Sequence, residues 1–219
     1  MSSDQHIEVL AHGPYQVSGD LTLRVKRQVN SELGRPSDWE SDEPIDHRST
    51  YFLCRCGASD NKPFCDGSHG FDRFDGTETA ASTPLAERVE RHEADGMTVL
   101  KYGEYCEHAG FCVNYGTNWF EMTSQTADPQ VRQRLKLMIE NCPSGALAYE
   151  VDGALVEPEL PSEIGVIPDG PLFVSGNVPI RRADGELAET RNRVTLCRCG
   201  HSANKPFCDD SHSEVGFRG

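Results

Sequence analysis

Two nearly identical stretches of this chain each carry four side chains that bind metals. Residues 54–69 read CRCGASDNKPFCDGSH and residues 197–212 read CRCGHSANKPFCDDSH, so the two stretches differ at three positions. The spacing C-x-C-x8-C-x3-H is the same in both, and thiolates and imidazoles are ligands of zinc and iron. A repeat that retains all four of these residues while its neighbours change indicates two bound metal centres.

The eight candidate ligands form two matching sets, Cys54, Cys56, Cys65 and His69, then Cys197, Cys199, Cys208 and His212. A short helix after the third cysteine of each set would bring cysteine and histidine to one face, with Asp66 and Asp209 as its N-cap residues. A two-iron centre suits this pattern, with one iron on the C-x-C pair and the other on cysteine and histidine. Mononuclear zinc, disulfides and a cysteine nucleophile stay open as alternatives.

The run C-x-C-x2-S-x3-P-x-C-D-G-S-H resembles the signature of the CDGSH iron–sulfur domain, the NEET family. Residues 54–69 match it throughout, and the second copy departs from it only at Asp210, where the family has glycine. The resemblance implies a 2Fe–2S cluster in each stretch, with the C-x-C pair on the inner iron and the remaining cysteine and histidine on the outer iron. It also implies an intertwined two-fold dimer, which this chain would build from its own two halves.

A second cysteine pattern occupies the middle of the chain. Cys106 and Cys112 lie in CEHAGFC, and Cys142 precedes proline in CPSGAL. The spacing is that of the C-x2-C-x2-C run of bacterial ferredoxins, with Ala109 in the place of the central cysteine. This segment resembles the divergent single-cluster 4Fe–4S ferredoxin domain. With three cysteines, a 3Fe–4S cluster, or a 4Fe–4S cluster completed by His108 or an exogenous molecule, is expected; a cluster-free structural module is the alternative.

The patterning predicts a β-rich α+β fold in three parts: residues 1–76 and 162–219 as the two cluster units of an intramolecular pseudo-dimer, and residues 77–161 as a small ferredoxin-like domain. In the outer units we expect short strands at Tyr15–Val17, Leu21–Val25, Thr50–Leu53, Leu172–Val174, Val178–Ile180 and Arg193–Leu196. Residues 34–47 are polar and predict a surface loop, with Trp39 packed in it or serving as a docking handle. Helical spacing of apolar residues predicts a helix at Asp128–Glu140.

Composition narrows the function. The chain has 35 acidic and 21 basic residues, a net charge of −14, which argues against nucleic acid as a partner. The sequence has no run of about 20 apolar residues, the length that would span a membrane, and its N-terminal residues lack a signal pattern. We therefore expect a cytoplasmic protein, and we expect a monomer with an internal pseudo-two-fold axis. We expect an electron carrier rather than an enzyme. Its expected partner is a redox protein or an apo-acceptor of clusters, and that partner would dock through a basic face. A cluster-storage or transfer protein and a zinc-stabilised interaction module are the alternatives.

Overall fold

The computed structural model describes residues 5–219. Strands hold 32% of the residues and helices 14%, which confirms the β-rich α+β class. The strands are β1 (His6–Val9), β2 (Tyr15–Ser18), β3 (Thr22–Asn30), β4 (Pro36–Pro44), β5 (Thr50–Leu53), β6 (Glu90–Ala94), β7 (Met97–Lys101), β8 (Leu147–Val151), β9 (Ala154–Val156), β10 (Glu163–Val166), β11 (Leu172–Ser175), β12 (Ile180–Arg181) and β13 (Arg193–Leu196). The helices are α1 (Trp119–Thr123), α2 (Pro129–Glu140) and α3 (Ser211–Glu214).

The two outer parts of the chain exchange strands. One sheet has the order β12-β1-β2-β5 and the other the order β13-β11-β10-β3-β4. Strand β12 lies parallel to β1, and β3 lies parallel to β10, so each sheet takes a strand from the other half. These matching exchanges confirm the intramolecular pseudo-dimer. The domain boundaries after residues 76 and 161 stay a prediction.

The two sheets bury one common hydrophobic core. Alternate residues of β1 and β2, such as Ile7 and Val17, lie in it together with Ile164, Leu172 and Leu196 from the second half. Period-two alternation places such residues on one face of a sheet, and the exchange of strands brings the two inner faces together. The core therefore holds the two halves together, and with them the loops that follow β5 and β13.

The prediction of a surface loop at residues 34–47 is wrong. Residues Pro36–Pro44 form β4, which pairs with β3 in a long antiparallel hairpin. Most of the β4 side chains are exposed, so a strand at the sheet edge has a polar composition that resembles a loop. The Trp39 ring is half-buried, with its centre 4.9 Å from that of the Phe111 ring and 5.5 Å from that of the Phe173 ring.

The middle part is a separate antiparallel sheet with the order β6-β7-β8-β9, packed against α1 and α2. Helix α2 begins as the sequence predicts, with Asp128 as its N-cap and proline at its first turn. Leu135, Met138 and Ile139 bury its apolar face in a core of their own. Within residues 5–219 no helix has the length and apolar character needed to cross a membrane.

Candidate metal centres

Each ligand loop begins where the edge strand of a sheet ends. Strand β5 ends at Leu53 and β13 ends at Leu196, so Cys54 and Cys197 are the first residues after them. The chain then folds back: the Cys65 amide donates to the Phe52 carbonyl, and the Cys208 amide donates to Thr195. Because the third cysteine is tied to the strand that delivers the first, the loop returns its second ligand pair to the same place.

Buried serines fix the inside of each loop. The Ser59 hydroxyl donates to the Phe64 carbonyl at 2.7 Å and accepts from the Asn61 amide. Ser202 makes the same two contacts with Phe207 and Asn204. Both Lys–Pro peptide bonds in these loops are cis. The two loops therefore have one conformation, as their sequences predict.

The donor atoms come together as pairs. The Cys54 and Cys56 sulfurs lie 3.8 Å apart and those of Cys197 and Cys199 lie 3.7 Å apart. The Nδ1 atoms of His69 and His212 each lie 3.4 Å from the sulfur of Cys65 and Cys208 respectively. Over residues 5–219, no three Cys, His, Asp and Glu side chains are arranged to hold one metal ion.

The pair distances fit a two-metal centre. On a tetrahedral ion with metal–sulfur bonds of about 2.3 Å, two sulfurs lie about 3.8 Å apart, and a sulfur and a nitrogen about 3.5 Å apart. Each C-x-C pair and each cysteine–histidine pair has this separation. The residues present therefore fit a centre in which one metal takes two thiolates and the other takes a thiolate and an imidazole.

The first cysteine of each motif lies in surroundings that favour its thiolate. The pKa of Cys54 is lowered because Cys56 donates a hydrogen bond to its sulfur, with further backbone N–H donors from residues 56, 57 and 59. Cys197 has the same arrangement with Cys199, and its pKa is also lowered. Hydrogen bonds to the charged form favour it, and metal binding requires that form.

A short helix follows the third cysteine in both copies. It is a 3-10 helix at Ser68–Gly70 in the first copy and the four-residue α3 in the second, with Gly67 and Asp210 as the N-cap residues. The prediction that Asp66 and Asp209 are the N-caps is therefore wrong by one position. Their carboxylates still accept from the amides of Ser68 and Ser211, two residues further on. Gly67 and Asp210 both have left-handed backbone, with φ of 91° and 77°.

Two buried arginines, which sequence reasoning missed, anchor the motifs. Arg55 and Arg198 stand between the paired cysteines, and each is 1% exposed. Arg55 donates to the carbonyls of Leu10 and Gly76, and Arg198 donates to Ile167, Gly170 and Gly219. The repeated CRC sequence could have identified these arginines, because an arginine retained in both copies indicates equivalent carbonyl acceptors in both halves.

The two motifs touch each other. A Cβ atom on Gly57 would lie 2.7 Å from the Cys199 carbonyl oxygen, and one on Gly200 would lie 2.6 Å from that of Cys56. Both glycines have positive φ, 85° and 84°, which L side chains rarely adopt. Each glycine therefore permits the backbone of one ligand loop to pack directly on a ligand residue of the other.

The three middle cysteines line one cavity. Cys106, Cys112 and Cys142 surround a space of about 300 Å³ whose other walls include the apolar side chains of Phe111 and Trp119. Burial raises the pKa of Cys106, and it raises that of Cys112 to about 11, with further contributions from the neighbouring thiols. In a cubane cluster each cysteine binds a different iron, so three thiols around one cavity fit such a group.

His108 stands at the edge of this cavity, between the middle site and the second motif. Its side chain is 71% exposed, and its Nδ1 lies 3.6 Å from a carboxylate oxygen of Asp210. Asp210 also lies 3.4 Å from the Nε2 atom of His212. The predicted ligand His108 is thus directed towards the carboxylate of Asp210, and its ligation of a middle cluster stays a prediction.

Glu107, which sequence reasoning also missed, lies next to Cys208, the cysteine that pairs with His212. It is 4% exposed, and its carboxylate interacts with Cys208. Burial, reinforced by the charge of Asp210, raises the pKa of Glu107 to about 8. Its Oε1 atom has no hydrogen-bond partner among the described residues. No signal in the sequence pairs this residue with a cysteine 101 positions away.

The middle part is fastened to both halves. Arg193, 1% exposed, donates to the Ile139, Glu140, Cys142 and Leu147 carbonyls and forms an ion pair with Glu157. From the other side, the Trp39 indole donates to the Asn141 carbonyl at 3.0 Å. Both contacts hold the chain next to Cys142, so strands of the two halves position a ligand of the middle site.

Two families of known proteins match segments of the chain. Residues 12–70 and 169–213 match the family described as iron-binding zinc finger, CDGSH type. Residues 93–152 match the family described as divergent 4Fe-4S mono-cluster. No curated protein and no solved structure matches the chain.

Proposed function

Because the chain carries two CDGSH-type iron-binding regions around a divergent 4Fe-4S mono-cluster region, and is thus an iron–sulfur-binding protein, we propose that it is a one-electron carrier with three centres. The separations of the donor pairs, 3.7–3.8 Å between sulfurs and 3.4 Å between sulfur and nitrogen, carry the proposal. When bound, iron–sulfur clusters supply reversible one-electron chemistry. Nothing in the donor sets calls for a substrate, so the proposed role is not enzymatic.

The chain's own residues set the character of the two outer centres. The C-x-C thiolates would hold the inner iron of a 2Fe–2S cluster, and the remaining cysteine and histidine would hold the outer iron. A neutral imidazole in place of a thiolate makes the centre less negative, which raises its reduction potential. Arg198, buried between its cysteines, interacts electrostatically with Cys54 and Cys199 and balances part of the negative charge.

Three thiolates hold the middle centre in this proposal, as either a 3Fe–4S or a 4Fe–4S cluster. Cys106, Cys112 and Cys142 would each bind one iron, and the apolar walls of the cavity would exclude water. A cubane with four irons needs one more ligand, from His108 or from a small exogenous molecule.

The test is an anaerobic preparation assayed for iron, zinc and acid-labile sulfide. The proposal predicts sulfide together with seven or eight irons per chain, roughly two for each outer cluster and three or four for the middle one. An air-oxidised 3Fe–4S cluster is paramagnetic, so EPR distinguishes it from oxidised 2Fe–2S and ordinary 4Fe–4S clusters, which are silent. A colourless protein containing zinc and no sulfide would instead indicate a zinc-stabilised module.

Storage or transfer of 2Fe–2S clusters is the second candidate function. Its supporting observation is the exposure of the first motif: Cys65 is half-buried whereas the matching Cys208 is buried. An outer ligand within reach of solvent is within reach of an acceptor's thiols. Mixing the loaded protein with an apo-ferredoxin separates the functions, because a transfer protein loses its outer clusters to the acceptor and a carrier retains them.

We propose a basic redox protein as the partner of the carrier. The chain carries a net charge of −14, and opposite charge on a partner speeds the encounter. The same charge disfavours nucleic acid, and no membrane association is proposed. All nine cysteines are free, which suits the reducing cytoplasm, and the internal pseudo-dimer suits a monomer. Raising the salt concentration should slow electron exchange with a basic partner such as a cationic cytochrome.

A further inference from the structure

The two matching motifs differ at the N-cap residue of the short helix that contains the histidine. That residue is Gly67 in the first motif and Asp210 in the second, and both adopt the left-handed conformation with ψ near 0°. Left-handed backbone costs roughly 1–2 kcal/mol for a residue with a Cβ, although Asp tolerates it better than most. An aspartate at a position that glycine fills freely suggests that its side chain has a role.

The Asp210 carboxylate faces the metal-ligand histidine. Nδ1 of His212 lies beside the Cys208 sulfur, so the other ring nitrogen, Nε2, is free to donate, and it lies 3.4 Å from Asp210. A carboxylate that accepts from the second nitrogen of a ligating histidine fixes the ring and makes the ligand more basic. In the first motif, no Cβ stands at residue 67, and a Cβ built there meets nothing within 4 Å.

The middle part adds to this asymmetry. Glu107 contacts Cys208, and His108 contacts Asp210, so two consecutive residues after Cys106 reach the outer ligand pair of the second motif. Glu107, His108, Asp210 and His212 line one cleft of about 550 Å³. The first motif has neither contact, which leaves its Cys65 half-buried.

We propose that Asp210 is a positioning residue that makes the C-terminal centre the lower-potential member of the two matching centres. The inference rests on the proposed function, because it requires a redox-active cluster in both motifs. A carboxylate 3.4 Å from the Nε2 atom of His212 adds negative charge beside the outer iron and opposes reduction. An electron on the C-terminal centre would then pass to the N-terminal centre across the contacts of Gly57 with Cys199 and of Gly200 with Cys56, with no bond or proton exchanged.

The experiment is an EPR-monitored redox titration of the full-length loaded protein and three variants. Wild type should show two separate midpoint potentials for the 2Fe–2S signals. Asp210→Gly places the residue of the first motif in the second, and it should raise the lower midpoint while the upper one stays. Asp210→Asn retains the size and turn preference of aspartate without its charge, so it should give the same upward shift. A merely structural role for Asp210 would instead be rescued by asparagine.

Gly67→Asp is the matched reverse variant, and it should lower the upper midpoint. Two coincident midpoints in wild type, or Asp210→Gly and Asp210→Asn titrations identical to wild type, would overturn the inference. If Gly67→Asp fails to fold, the two Asp210 variants still decide. The proposed function fails in a different way, by the absence of sulfide and of any reducible 2Fe–2S signal from all four proteins.

Discussion

Residues 54–69 and 197–212 fold into the same ligand loop, but only the second loop is covered by the middle part of the chain. Their donor pairs agree within 0.1 Å, and their buried serines make the same contacts. Around Cys208 and His212, however, lie Glu107, His108 and Asp210, while the equivalent side of the first loop faces solvent more openly.

This difference separates two levels of control. The local sequence of each motif determines which donor atoms come together and how far apart they lie. The tertiary neighbours determine charge, burial and access, which tune a metal centre. Two centres with one ligand set can therefore have different potentials and different partners, and the predictions below test each level.

The largest effect is expected at Arg193, which exists only on the C-terminal side. Its buried guanidinium donates to the Cys142 carbonyl and forms an ion pair with Glu157. Removing one partner of a buried ion pair costs about 3–5 kcal/mol of stability. We expect Arg193→Met to lower Tm by roughly 6–20 °C. It should also release the iron of the middle site while the two outer centres keep their absorbance. Differential scanning calorimetry and iron analysis measure the two effects.

Thr50 provides the matched control, because it opens β5 as Arg193 opens β13 and is exposed. Thr50→Ala should change neither Tm nor metal content by more than the error of the measurement. Equal losses from both variants would mean that the middle part does not depend on β13.

The next effect is expected at the contact between the motifs. Gly200→Ala places a methyl group against the Cys56 carbonyl and strains a left-handed residue, which together cost about 2–5 kcal/mol. Because the methyl pushes on the first motif, we expect the N-terminal centre to be lost along with the C-terminal one. Gly57→Ala should do the same in reverse, as followed by visible absorbance during thermal unfolding.

Gly34→Ala separates strain from contact. Gly34 also has positive φ, 69°, but a Cβ there meets no atom within 4 Å. This variant should carry only the strain of about 1–2 kcal/mol and retain both centres. If Gly34→Ala and Gly200→Ala behave alike, the two motifs are not in the contact described.

The sequence predicted the features that depend on residues near one another in the chain and missed those that depend on contacts between distant segments. The pairing of the candidate donor atoms and strands β5 and β13 follow from the repeat, and the exchange of strands follows from the resemblance to an intertwined dimer. Strands β1 and β10 were missed, since each is four residues long and pairs across the halves. Strand β4 reads as a loop because its side chains are polar, and the contact of Glu107 with Cys208 depends on docking that no local pattern records.

A smaller effect is expected from the histidine ligands, and it should appear in both motifs. An imidazole must be neutral to bind iron, so protons compete with iron for the ring as the pH falls, and burial lowers the pKa of His212 from its ordinary value of about 6.5. The stabilisation is complete above that value and falls as the pH decreases below it. We expect His69→Cys and His212→Cys each to move the loss of one centre to lower pH by about one unit, or about 1.4 kcal/mol. An acid titration followed by absorbance that matches wild type would contradict this.

The smallest expected difference between the two motifs is at their buried serines, where the motifs should be alike. Ser59 and Ser202 are each 1% exposed, and each hydroxyl donates to one backbone carbonyl and accepts from one amide of its own loop. Removing a hydroxyl leaves a buried carbonyl and amide unpaired, at a cost of roughly 1–3 kcal/mol. Ser59→Ala and Ser202→Ala should therefore lower the free energy of unfolding, measured in urea, by the same amount within about 0.5 kcal/mol. A much larger loss from Ser202→Ala would mean that the middle part supports the inside of the second loop as well as its outer ligand pair. Tertiary contacts would then control the interior of that loop, and not only its surroundings.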